Sequence, residues 1–245
     1  MKVYGLLGKT LSHSFSQRYF SEKFQNEHIT NCVYQNFELK DLEKEIPRLK
    51  NEPALSGLNV TIPYKTDIIP FLDNLTDDCR QMNACNCIKI IGGKWTGYNT
   101  DVIGFERSFA PRLKSFHRKA LILGTGGASK AVRFVLGKMG IQFLEVTRNK
   151  KDHPSAINYD DITKEIFNEY NIIVNTTPLG MYPNLDAYPN LPYQFVTNQH
   201  YFFDLVYNPA KTLFLAKAEA NGASIENGEK MLVIQADESW AIWNS

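Results

Sequence analysis

The stretch LILGTGGASKAV, residues 121–132, decides how the chain is read. Apolar residues over 120–123 predict a buried strand. Gly124, Gly126, Gly127 and then Ala128 follow, and a helix-compatible run over 129–136 sets Ala131, Val132, Val135 and Leu136 at helical spacing. Strand, glycine turn and helix start in that order make an anion site, because backbone N–H groups and the positive end of the helix dipole both face the turn. Glycines let a pyrophosphate come close to the backbone. Ser129 stands where such loops usually carry Gly or Ala, and glycine turns also precede helices for structural reasons alone. By itself the loop leaves a dinucleotide site and a structural turn both open.

Outward from the loop, GIQFLEVTRNKK (140–151) predicts a second parallel strand ending at Val146 or Thr147, the place where dinucleotide domains select their cofactor. An acidic residue there would accept from the ribose hydroxyls of NAD. Thr147, Arg148, Asn149, Lys150 and Lys151 stand there instead, and an arginine fork suits a 2′-phosphate, which favours NADP over a merely solvated basic loop. The segment between Lys150 and Tyr170 has little periodicity and carries Pro154, so it is short for a full crossover helix. NIIVNTTPLGMYPN (171–184) predicts a strand over 172–175 that breaks into Thr176, Thr177 and Pro178, and YFFDLVYNP (201–209) another that ends near Asp204 and Tyr207. NGEKMLVIQADESWAIW (227–243) starts around Gly228 and continues as a helix whose Leu232, Gln235, Ala236 and Ser239 share a face, with Trp240 and Trp243 as core anchors.

The first half opens with a strand over 3–7, then SHSFSQRYFSEKF (12–24), where Phe15, Tyr19, Phe20 and Phe24 recur at helical spacing. Ser12, Ser14 and Ser16 stand at a strand end and helix start, where one serine satisfies the N-cap at about 1 kcal/mol. The surplus hydroxyls suit a polyhydroxylated or carboxylate ligand. A strand over 32–37 and an acidic helix start at 40–45 lead to GLNVTIPYK (57–65), where Leu58, Val60 and Ile62 alternate with Asn59 and Thr61, predicting polar residues on one strand face. Pro63 ends that strand, so Lys65 projects just past its carboxyl end, where open α/β sheets bind ligands. In NACNCIKIIGGKWTGYNTDVIGF (83–105), Gly92-Gly93 predicts a hairpin flanked by Asn86 and by Thr100-Asp101. Asp101 alone reads as a helix cap; paired with a lysine, it would help hold that lysine at a substrate hydroxyl and tune proton transfer.

With 27 basic and 26 acidic residues in 245, the chain offers no electrostatic case for nucleic acid or an anionic membrane, so a small-molecule substrate is expected. No stretch reaches the ~18 apolar residues of a membrane span and the start lacks a signal-peptide pattern, so the expectation is a cytoplasmic protein. Four cysteines without CxxC spacing fit a reducing compartment. Cys85 and Cys87, two apart, would share a strand face, but no second pair completes a metal site, and both read as buried small hydrophobes with no metal expected.

Taken together, SHSFS, NVTIPYK, ACN, NTDVIGF, the glycine loop, NTTPLGM, DLVYNP and GEKMLVIQA, in that order and almost end to end, resemble the shikimate dehydrogenase family. The resemblance implies an N-terminal α/β substrate domain plus a Rossmann-type doubly wound parallel-sheet domain. Residues 1–101, with a C-terminal helix at 229–245 packing back, would bind substrate, and 102–228 would bind NADP. The implied reaction is the reversible reduction of 3-dehydroshikimate to shikimate by NADPH. By motif, Ser14 and Ser16 would bind the substrate carboxylate, Asn59, Thr61, Asn86 and Gln235 its hydroxyls and ring, and Tyr207 would line the pocket. Lys65 and Asp101 resemble the catalytic pair. Cofactor contacts would fall on Gly124, Gly126, Gly127 and Ala128, on Thr147, Arg148 and Asn149, and on Thr176, Leu205 and Gly228. The family's Asn-Arg-Thr order after the second Rossmann strand is Thr-Arg-Asn here. Other readings are a quinate/shikimate dehydrogenase using NAD, an enzyme of the methylene-folate dehydrogenase class, whose catalytic lysine context is not seen, and a non-catalytic metabolite-binding Rossmann protein. A homodimer is left open.

Overall fold

The computed structural model describes residues 1–11 and 15–245, so Ser14, with Ser12 and His13, lies outside the described residues. The chain divides into two compact units, one of Met1–Thr100 with Gln235–Ser245 and one of Asp101–Ile234. Among the described residues no helix is long and apolar enough to cross a membrane.

The first unit is built on a six-stranded mixed sheet. Its elements are β1 (Lys2–Gly8), α1 (Phe15–Asn26), β2 (Cys32–Glu38), α2 (Leu42–Lys50), β3 (Leu55–Val60), β4 (Asn74–Leu75), α3 (Asp77–Met82), β5 (Cys87–Ile91) and β6 (Lys94–Tyr98). The sheet order is β2-β1-β3-β5-β6-β4, with β1 parallel to β2 and β3, and β5 antiparallel to both β3 and β6. Alternation along the strands sorts side chains onto two apolar layers. Leu7, Leu58, Val60, Ile88 and Trp95 form one; Tyr4, Phe20, Phe24, Tyr34, Cys87, Ala236 and Trp243 form the other. Trp243 comes from the last helix, α8 (Glu229–Asn244), and stacks on Tyr4 at 4.9 Å between ring centroids. Its indole nitrogen donates to the Ile88 carbonyl at 2.9 Å. A Cβ on Gly57 would stand 2.4 Å from that indole, so the strand must carry glycine where the tryptophan crosses it.

Two expectations for this unit are corrected. Ile62 does not continue the buried face of β3: the strand ends at Val60, the chain turns with Tyr64 N donating to Thr61 O at 3.0 Å, and Ile62 is 76% exposed. Cys85 and Cys87 are both buried, yet they do not share a face. Cys85 precedes β5 and joins the Leu58 layer, whereas Cys87, the first residue of β5, points into the Tyr4 layer. The Gly92-Gly93 hairpin stands as expected, both residues having positive φ (56° and 75°), as a two-residue turn of primed type requires.

The second unit holds α4 (Thr100–Phe109, from Asp101 onward), β7 (Lys119–Leu123), α5 (Gly127–Lys138), β8 (Gln142–Val146), α6 (Lys164–Glu169), β9 (Ile172–Asn175), β10 (Tyr201–Asp204), α7 (Leu213–Ala220), β11 (Ser224–Glu226) and the first turns of α8. Its sheet is wholly parallel, in the order β11-β10-β9-β7-β8. Every residue of β9 and β10 is buried, which is why those strands read as unbroken apolar runs. Strand order reverses between β7 and β9, and such a switch point opens a crevice at the carboxyl ends of the strands. The segment from Lys150 to Tyr170 supplies a 3₁₀ turn at Tyr159–Asp161 and the six-residue α6, and part of it lies along the sheet edge, with Thr147 N donating to Ile157 O and Ile157 N to Glu145 O.

Candidate active site

In the first unit, four expected substrate residues converge on one buried hydrogen-bond network. Asn59 is on β3, on the face opposite Leu58 and Val60. Its Oδ1 accepts from the Tyr34 hydroxyl at 2.9 Å and its Nδ2 donates to Ser239 Oγ at 2.8 Å. Asn86 enters from just ahead of β5: its Oδ1 accepts from Thr100 N at 2.6 Å and its Nδ2 donates to Thr100 Oγ1 at 3.0 Å. Gln235 reaches the same place from α8, with Oε1 3.5 Å from Thr100 Oγ1, and Ser16 joins through a hydrogen bond to Tyr34. Burial raises the Tyr34 phenol well above its ordinary value, so it stays a neutral donor.

Thr61 and Lys65 follow β3 on a turn fixed by its main chain. Thr61 N donates to Leu7 O at 2.9 Å, the buried Tyr64 donates its hydroxyl to Leu39 O at 2.6 Å, and Lys65 O accepts from Cys85 N at 2.7 Å. The Lys65 side chain is half-buried just beyond the strand's carboxyl end. Asp101, in the first turn of α4, and Tyr207 belong to the second unit.

In the second unit, the glycine loop leaves the carboxyl end of β7 at the switch point. Gly124 has φ +101°, and a Cβ there would stand 2.9 Å from Thr177 Cγ2 and 3.1 Å from Thr176 Oγ1, so that glycine is needed by the fold itself. Gly126 and Gly127 differ, since a Cβ on either would meet nothing within 4 Å. Helix α5 begins at Gly127, with Ala128 next, and has no side-chain cap at Gly126; in its first turn Ser129 N donates to Gly126 O at 3.1 Å. Ser129, the departure from the usual loop, is wholly buried and donates to Gly126 O at 2.7 Å; its hydroxyl is absorbed by the turn.

Other expected cofactor residues gather at neighbouring strand ends. Thr176 Oγ1 donates to Leu123 O at 2.8 Å, Leu205 N to Asn175 O at 3.0 Å, and Gly228 N to Val206 O at 3.3 Å. A Cβ on Gly228 would fall 2.2 Å from Leu205 O, so only glycine fits against that carbonyl. Past β8, Thr147 is buried and holds Asn149 N at 3.2 Å through its Oγ1, while Arg148 and Asn149 are exposed. No carboxylate occupies 147–149, and an exposed arginine fits a phosphate on the ribose.

Sequence reasoning missed three side chains that organise these strand ends or the substrate network. Tyr34 and Ser239 carry no motif, although Ser239 stands one helical turn from Gln235. Asp204, wholly buried, accepts from Asn175 Nδ2 at 2.9 Å, Thr212 Oγ1 at 2.6 Å and Val206 N at 3.0 Å. Asn175 in turn accepts from Thr177 N and Oγ1, so this carboxylate ties the loop after β9 to the loop after β10. Burial outweighs its hydrogen bonds and pushes its pKa up to about 6.

Comparison with known proteins shows what the chain is similar to. A family model described as the shikimate dehydrogenase substrate binding domain matches residues 6–88. The shikimate dehydrogenase (NADP(+)) of Caldicellulosiruptor bescii is 39% identical over 258 residues, covering 99% of this chain and 89% of the relative. The crystal structure of shikimate dehydrogenase from Aquifex aeolicus superposes with a TM-score of 0.87 at 31% identity, covering 100% of this chain and 92% of the other. That of shikimate 5-dehydrogenase from Thermus thermophilus, in complex with NADP(H) and shikimate, gives 0.86 at 27% identity and covers 99% and 93%.

Proposed function

Because the chain belongs to the shikimate dehydrogenase family, we propose that it catalyses the reversible reduction of 3-dehydroshikimate to shikimate with NADPH. The observation that carries the reading is the near end-to-end match at 39% identity, joined to a glycine loop that opens a helix at the sheet's switch point. In this reading residues 1–101 with 229–245 bind substrate and 102–228 bind cofactor, in the cytoplasm.

NADPH supplies a hydride to the substrate's ketone carbon. Lys65 gives a proton to the oxygen that becomes the alkoxide, so C=O gains one hydride and one proton and leaves as CH–OH, and Lys65 recovers that proton in the reverse direction. Asp101 carries the carboxylate of the catalytic pair. Ser14 and Ser16 take the substrate carboxylate, and Asn59, Thr61, Asn86, Gln235 and Tyr207 hold the ring and its hydroxyls. Gly124, Gly126, Gly127 and Ala128 hold the pyrophosphate, and Arg148, with Thr147 and Asn149, the 2′-phosphate. Thr176, Leu205 and Gly228 border the ribose and nicotinamide.

A panel of 3-dehydroshikimate and 3-dehydroquinate, each with NADPH and NADH, tests this. The expected outcome is fastest oxidation of NADPH with 3-dehydroshikimate. Preference for 3-dehydroquinate or for NADH would replace it with a quinate-type activity, and silence in all four combinations would leave a binding protein.

A further inference from the structure

The buried network of the first unit contains three side chains to which the family resemblance gives no role, Tyr34, Thr100 and Ser239. Ser239 is wholly buried on α8, one turn beyond Gln235. Its hydroxyl has a single proton, and Gln235 O, 2.8 Å away in the same helix, accepts it. Towards every other neighbour Ser239 Oγ must therefore act as an acceptor. Asn59 Nδ2 donates to it at 2.8 Å, and Thr100 Oγ1 stands 3.3 Å away. The Cys87 thiol is also a hydrogen-bond neighbour.

Main-chain groups help set the direction of the bonds around it. The Thr100 N–H can only donate, so it holds Asn86 Oδ1 and turns Asn86 Nδ2 towards Thr100 Oγ1, whose own proton has Ser239 Oγ and Asn86 Oδ1 at 3.3 Å and Gln235 Oε1 at 3.5 Å as acceptors. On the other branch, Tyr34 gives its proton to Asn59 Oδ1, and the nitrogen of that amide faces Ser239 Oγ at 2.8 Å and the Asn86 carbonyl at 3.4 Å. Both amides thus have a defined oxygen side and nitrogen side, and Ser239 Oγ is the nearer acceptor on the nitrogen side of Asn59.

We propose that Ser239 is a positioning residue for substrate recognition: by accepting from Asn59 Nδ2, it holds that amide in the orientation in which it meets the ring hydroxyls. The inference rests on the function proposed above. Removing the hydroxyl takes away the shorter of the two bonds made by the Asn59 amide nitrogen and leaves it only the Asn86 carbonyl, 3.4 Å away, as acceptor.

The test is steady-state kinetics of wild type, Ser239→Ala, Asn59→Ala and the double variant, with thermal unfolding of each. Ser239→Ala should raise KM for 3-dehydroshikimate about ten-fold, the size expected for one neutral buried hydrogen bond. KM for NADPH should stay within about two-fold, since the affected groups all lie in the network. In the Asn59→Ala background most of the substrate effect should vanish. Equal rises in both KM values, a fall in melting temperature with KM unchanged, or full additivity with Asn59→Ala would each overturn the positioning role. A wild type that does not reduce 3-dehydroshikimate overturns the functional reading and this inference with it. An active wild type whose kinetics Ser239→Ala leaves unchanged overturns this inference alone.

Discussion

At the scale of single residues, the glycines divide by what surrounds them. Gly57, Gly124 and Gly228 are held in place by neighbours that a methyl group would strike: an indole, two threonine side chains and a carbonyl. Gly126 has open space where its Cβ would be and an ordinary φ of −79°, so the fold does not require glycine there. Under the function proposed above, its absence of side chain serves a ligand approaching the backbone. Gly126→Ala is therefore expected to keep the melting temperature within about 2 °C, the shift of a near-neutral surface change. It should also raise KM for NADPH at least about ten-fold while leaving KM for 3-dehydroshikimate unchanged. The same comparison shows why the loop was legible in the sequence and the substrate network was only half so. A glycine turn between strand and helix is local, whereas the partners Asn59 and Ser239 are 180 residues apart and no local pattern links them.

At the scale of elements, the loops after β9 and β10 are tied by Asp204, and the tie has a pH signature. Its carboxyl is pushed from its ordinary 3.8 up to about 6 by burial. The folded chain thus holds this proton more tightly than the unfolded chain does. The stabilisation is full below about pH 4 and is lost as the pH rises through about 6, amounting to roughly 3 kcal/mol. Urea unfolding between pH 4 and pH 7 should show wild type losing that much relative to Asp204→Asn, which cannot titrate; parallel pH profiles would contradict the assignment. Strand ends such as this one are where sequence reading is weakest. The apolar run over 201–203 announces β10, but nothing in DLVYNP says that its first residue is a buried carboxylate bonded to Thr212. Likewise the alternation of Leu58, Val60 and Ile62 extends a pattern past the point where the main chain turns, and Cys85 lies outside the strand that would have set it on one face with Cys87. The hairpin at Gly92-Gly93 was legible because its turn chemistry is contained within two residues.

At the scale of the whole molecule, the residues proposed for the proton and for the cofactor phosphates are carried by different compact units, Lys65 in the first and the glycine loop in the second. Chemistry and binding should therefore be separable by substitution. The most direct measurement of the central claim is turnover of 3-dehydroshikimate by NADPH in Lys65→Ala, with shikimate and NADP binding followed by calorimetry on the same preparation. The account predicts that turnover falls by about 10²–10⁴-fold, the range for loss of a general acid, while both dissociation constants stay within about three-fold. Near-wild-type turnover in that variant would contradict it.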